Sequence, residues 1–267
     1  MRALRKLTWV ELKLFAREPV SLIFTLAFPI VLLVVLIGSF KPNAPGFGGH
    51  QPADYYLATY IGVVIGAIGL IALPVHLATY REHGVLRRFH ASAVPTWVII
   101  GSHLITGLVM AALGSIVLVL AATTIYGAAL PRSLATVAGT FVLATMSFQA
   151  IGFLLGSILR TARAAQAVGM LLFFPMWLLC GAGPPPGVMS AGMRQLSDVL
   201  PLTFAVRVIE QPWVGGSPNV PDLLLLAGIL AAAGALSVRA LHTRHLPPER
   251  ISGHARPAAI AHQRRRP

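Results

Sequence analysis

The stretch Trp97–Tyr126 reads WVIIGSHLITGLVMAALGSIVLVLAATTIY and contains no Asp, Glu, Lys or Arg. About 20 predominantly apolar residues suffice to cross the roughly 30 Å hydrocarbon core of a bilayer as an α-helix. This run exceeds that need, so it spans with tilt or keeps one end outside. Five further runs share its character: Val20–Phe40, Tyr56–Thr79, Ser133–Leu159, Ala164–Gly181 and Asp222–Val238. Only Asp222 brings a charge, and it stands at a boundary. A charge at mid-bilayer costs about 3 kcal/mol on insertion scales, which explains the gap. Across 267 residues, 56% are hydrophobic and 11% charged, whereas a soluble domain carries about 25% charged residues. The stretches left between the runs are too short for a second core. The expected fold is all-α: an integral membrane six-helix bundle over residues 1–240, followed by a basic tail, 241–267.

The gaps between the runs set the orientation. The formal net charge is +13, which in a soluble chain would point to nucleic acid. Here seventeen basic residues fall before the first run, between the second and third, between the fourth and fifth, and after the sixth. The other gaps hold four: Lys41, Arg132, Arg194 and Arg207. That bias places both termini in the cytoplasm and favours an even number of spans. It fits topology and anionic lipid better than a nucleic-acid groove. Val20–Phe40 is longer than a signal-peptide core and has no clear cleavage site after it, so it is expected to stay as a first span. Cys180 is the single cysteine, which excludes an intrachain disulfide. Ahead of the first span, Arg2, Lys6, Lys13 and Arg17 share one helical stripe, and Ala3, Leu7, Val10 and Leu14 an adjacent one. This is the pattern of an interfacial helix that turns at Pro19.

Two outward gaps stand out. Lys41–Tyr55 is rich in Gly and Pro and reads as a loop. The 182–221 gap opens with Gly183-Pro184-Pro185-Pro186-Gly187. Met189, Met193, Leu196, Val199 and Leu200 follow at helical spacing, so a short amphipathic helix is expected at or dipping into the outer interface. A second short segment, Leu202–Ile209, precedes Pro212. On the inner side, Tyr80–Pro95 places Arg81, Glu82, Arg87 and Arg88 around Gly84 and the apolar Val85, Leu86 and Phe89. A short surface helix with a face for a partner would look like this, and so would an ordinary charged loop.

No phosphate loop G-x-x-x-x-G-K-[ST], no H-E-x-x-H and no G-x-S-x-G is present. No catalytic, cofactor-binding or metal-binding residue is therefore expected, and the chain is not read as an enzyme. No carboxylate lies deep in a run, where coupled transporters keep their relays. His76 and His103, both near span ends, are assigned to interface or packing roles. Gly62-x-x-x-Gly66 and Gly152-x-x-x-Gly156 allow close helix approach, within one bundle or between two chains. Pro29, Pro74 and Pro175 are expected to kink their spans.

Several of these elements, in this order and spacing, resemble the ABC-2 type exporter permeases, in particular the daunorubicin-resistance branch. They are Phe15-Ala-Arg-Glu-Pro19 with Phe28-Pro29, Arg81-Glu82-His-Gly84-Val-Leu86 with Pro95, Phe174-Pro175 with Gly181, and Leu200-Pro201-Leu202-Thr203. The resemblance implies a permease subunit of an ATP-driven exporter in a bacterial plasma membrane. It implies an elbow helix before the first span. A coupling helix would dock on a separate ATPase subunit, present in two copies, through Arg81, Glu82, Gly84, Leu86, Arg87 and Arg88. Re-entrant helices would form an outer gate around Gly183, Pro184, Pro185, Pro186 and Pro201. A second permease copy or a paralogue would complete the unit. The apolar interior points to a hydrophobic or amphipathic cargo, a drug or a lipid. The Arg-rich tail is longer than the family requires. The alternatives are an ATP-independent secondary multidrug transporter, which the missing mid-membrane carboxylates oppose, and a lipid-modifying enzyme, for which no acid/base pair is visible.

Overall fold

The computed structural model describes residues 2–16, 19–41, 44–84 and 95–242. Among these it contains helices and loops only: α1 Arg2–Ala16, α2 Pro19–Ser39, α3 Pro52–Glu82, α4 Thr96–Tyr126, α5 Leu134–Ile158, α6 Ala162–Ala182, α7 Ala191–Ser197, α8 Pro201–Trp213 and α9 Val220–His242. Five of them, α3, α4, α5, α6 and α9, are long and apolar enough to cross a membrane. The chain is thus an all-α, multi-pass integral membrane bundle. The expected tail lies almost wholly beyond the described residues.

α3 is the axis of the bundle. It packs against α2, α4, α5, α6 and α8. In its most apolar window 72% of residues are buried, against 28% for α4 and α6 and 22% for α9. The outer helices therefore turn most of their apolar surface away from the protein, as Leu113, Ile116 and Leu120 of α4 and Leu171 of α6 do. In water such surface would drive aggregation; in a bilayer it meets lipid tails or another chain.

Glycine sets how closely these helices approach. Pro74 has no N–H and crowds the carbonyl one turn before it, and α3 absorbs this by widening into a π-turn at Ile68–Ala72. The widened turn is gripped from two sides. A Cβ on Gly152 of α5 would lie 2.1 Å from the Gly69 carbonyl oxygen, and one on Gly169 of α6 would lie 2.3 Å from that of Leu70. Gly62 and Gly66 face Val206 and Leu202 of α8, and Gly156 faces Leu77 and Pro74. Both G-x-x-x-G pairs are thus used within the bundle.

The 182–221 gap holds more structure than its expected helix. A single 3-10 turn, Pro186–Val188, precedes the short α7. The longer α8 runs through Pro212 to Trp213 and buries Leu202, Phe204, Val206, Val208 and Ile209 in the bundle. The expected Leu202–Ile209 segment thus lies inside the protein, because Gly62 and Gly66 leave it room. Pro212 does not stop the helix: it stands in the last turn, where little helix remains to be broken.

Candidate functional site

The chain order makes α3, α4, α5 and α6 alternate in direction, so the bundle has two ends with different chemistry. At the first end α3 finishes, α4 begins, and α5 hands over to α6. Arg81 stands in the last turn of α3. Its Nη1 donates to the carbonyl oxygens of Ser157 and Leu159, at 3.1 and 3.0 Å, where α5 ends. Glu82 Oε1 accepts from the Ala162 N–H at 3.1 Å, where α6 begins. A cation therefore meets a helix C-terminus and an anion a helix N-terminus, the favourable sense for both macrodipoles. Two adjacent residues of α3 clamp the α5–α6 connection. Gly84 adopts φ 66° and ends the helix, its N–H donating to the Arg81 carbonyl. Tyr80–Glu82, expected as the start of a surface helix, is instead the last turn of the spanning one. Leu86, Arg87 and Arg88 lie outside the described residues.

Beside this clamp α1 lies against the first half of α4. Glu11, 1% exposed, accepts from Ser102 Oγ and Thr106 Oγ1, both at 2.9 Å, and sits 3.3 Å from His103 Nδ1. Burial works against ionisation of Glu11, but the hydrogen bond and charge of His103, with Thr106 and Ser102, prevail and hold its carboxyl below the usual range. The His103 ring contacts His76 and Tyr80 of α3 and Phe153 of α5. His76 and His103 thus do pack at an interface, as expected. Glu11 was not singled out from sequence. Its signal was Ser102-His103-x-x-Thr106, a polar patch at one-turn spacing in an otherwise apolar helix.

At the opposite end α6 unwinds. Gly181 takes φ 96°, a value that side chains oppose, and the carbonyls there lose their helical partners. Three α3 tyrosines replace them: Tyr55, Tyr60 and Tyr56 donate to the carbonyls of Gly181, Ala182 and Gly183 at 3.2, 3.3 and 3.0 Å. In an apolar setting such unpaired carbonyls would cost several kcal/mol. Of the expected gate residues, Gly183 is held by this tyrosine row. Pro184 and Pro185 carry the chain on to Pro186, which opens the 3-10 turn and offers its carbonyl to Arg194. Pro201 occupies the first position of α8, where a missing N–H costs nothing. The 44–51 connection joins this end through the Gly187 N–H, which donates to the Gly46 carbonyl at 3.2 Å.

The described residues thus form a multi-pass membrane bundle with a clamped helix connection at one end and an unwound span at the other. Among the described residues no group of three or more His, Cys, Asp or Glu side chains is placed to hold a metal ion. The sequence model of the ABC-2 type transporter family matches residues 2–211, from α1 through most of α8, and the chain belongs to that family. A comparison with curated proteins finds no match.

Proposed function

We propose that this permease is the membrane subunit of an ATP-driven exporter of hydrophobic or amphipathic cargo, powered by two copies of a separate ATPase. A second permease copy or a paralogue completes the unit. The observation that carries the reading is the Arg81–Glu82 clamp. The segment after Gly84 docks on the ATPase through Leu86, Arg87 and Arg88. A displacement there reaches Arg81 and Glu82, and through them the start of α6, whose far end is the tyrosine-held turn at Gly181–Gly183. α6 thus joins an inner contact to an outer gate, the two-state element that ATP binding would bias. In this reading both termini face the cytoplasm of a bacterial cell, an orientation that the basic-residue bias supports.

The test separates docking from transmission. In the assembled complex, R87E/R88E is expected to abolish co-purification of the ATPase. E82Q is expected to keep the ATPase bound while transport falls about tenfold, the worth of one hydrogen bond to a charged group. A complex that assembles and transports normally with all three substitutions would defeat the proposal.

A further inference from the structure

At the gate end, the 44–51 connection, the turn at Pro186 and Gly187, α7 and α8 line an open-sided cavity of about 410 Å3. That lies within the roughly 300–1,000 Å3 of sites that hold small molecules. Two opposite charges, Arg194 and Glu210, line it. They do not neutralise each other. Among the described residues the ion pairs are His103–Glu11 and Arg207–Asp198. Arg194 Nη2 donates to the carbonyls of Pro186 and Met189, at 3.1 and 3.4 Å, which fixes the guanidinium and leaves its other N–H groups without a described acceptor. No described donor reaches the Glu210 carboxylate, and Arg207, one turn before it, is held by Asp198. The aromatic wall is rigid as well. The Tyr55 hydroxyl is tied to Gly181, and its ring meets Phe47 edge-on at 5.4 Å.

We propose that this cavity binds a zwitterionic phosphodiester headgroup, its ammonium against Glu210, its phosphate against Arg194. A carboxylate suits an ammonium, and a guanidinium fork suits a phosphate. A simple cation would leave Arg194 unanswered and a simple anion would leave Glu210 so. That the headgroup comes from the outer leaflet rests on the permease reading; the binding itself rests on the cavity. Arg207 on its own helix and Tyr55 from α3 act on Glu210, and Arg194 from α7 and His50 from the 44–51 connection line the same cavity. Burial pushes the Glu210 carboxyl up to about 7, with Arg207 pulling it back. Ammonium capture needs the carboxylate, so affinity rises as pH rises through that value.

Native mass spectrometry of the purified full chain tests this without ATP or partner, so its outcome is independent of ATPase co-purification. The chain is equilibrated with mixed phosphatidylethanolamine and phosphatidylglycerol, and separately with soluble glycerophosphoethanolamine, at about pH 6 and about pH 8. Wild type is expected to retain phosphatidylethanolamine about tenfold over phosphatidylglycerol, more so at the higher pH. E210Q and R194Q are each expected to lose that preference, and E210D to regain part of it. If only the soluble compound binds, with the same dependence on Glu210 and Arg194, the chemistry stands and the source is not the membrane. An absent preference for either probe, or one that survives both substitutions, overturns the proposal. Should circular dichroism show E210Q or R194Q misfolded, E210D and the wild-type pH series decide.

Discussion

At the scale of single residues, Glu11 concentrates the most electrostatic consequence. It is a buried anion whose partners all come from another helix, so it holds α1 on α4. Removing one member of a buried pair costs about 3–5 kcal/mol, because the other is left uncompensated. E11A is therefore expected to destabilise the protein by roughly 3 kcal/mol, leaving Thr106 and His103 without their acceptor while Ser102 keeps the Ile99 carbonyl. The pH dependence follows from the direction of the shift. The folded carboxyl titrates below its ordinary value of 4.5, so its contribution is present above that value and is lost as pH falls through the folded one. Thermal unfolding in detergent should show wild type losing stability on acidification below about pH 4.5, and E11Q, already weaker, losing less. A wild-type and E11Q pair with the same acid response would show that Glu11 does not ionise in place.

At the scale of the element, what matters is how α3, α5 and α6 come together around a π-turn. The Gly152-x-x-x-Gly156 pair was visible in the sequence, and so was Pro74, but their partner was not. A glycine announces that something comes near without saying what. That the near object is the Gly69 carbonyl depends on the extra residue in the π-turn, and Ile68–Ala72 is as apolar as any ordinary helical turn. The tyrosine row was hidden in the same way. Tyr55, Tyr56 and Tyr60 look like interfacial aromatics until Gly181 breaks α6 beside them. The spans themselves were legible because bilayer thickness imposes a length, and a length can be read from one chain. Packing imposes pairs, and a pair needs both partners. A matched glycine substitution isolates the packing effect. G152A pushes a methyl against the Gly69 carbonyl and is expected to cost about 2 kcal/mol or more by overpacking. G139A, in the same helix with nothing within 4 Å of its Cβ, is expected to be neutral or to gain up to about 1 kcal/mol from helix propensity. Unfolding midpoints of the two variants measure the difference; equal shifts would mean that α5 stands off from α3.

At the scale of the whole molecule, two chemistries are kept at opposite ends of one bundle. The end with Arg81, Glu82 and Gly84 precedes the basic segment, and the end with Gly183–Pro186 carries the cavity and α8. The separation matters because an energy source at one face can act on a gate at the other only through an element that reaches both, and α3 does, from the tyrosine row to the clamp. In the proposed orientation the clamp end lies in the cytoplasm, and the alternating helix directions then put Val199 outside. The chain offers a clean measurement, because its single cysteine, Cys180, is buried. His83 is exposed just past the clamp, and Val199 is 69% exposed beyond α7. A membrane-impermeant maleimide is expected to label V199C in intact cells and to leave H83C unmodified, and inside-out vesicles should reverse the pattern. Labelling of H83C from the outside would invert the bundle, detach the clamp from any cytoplasmic ATPase, and remove the route by which ATP binding could move α6.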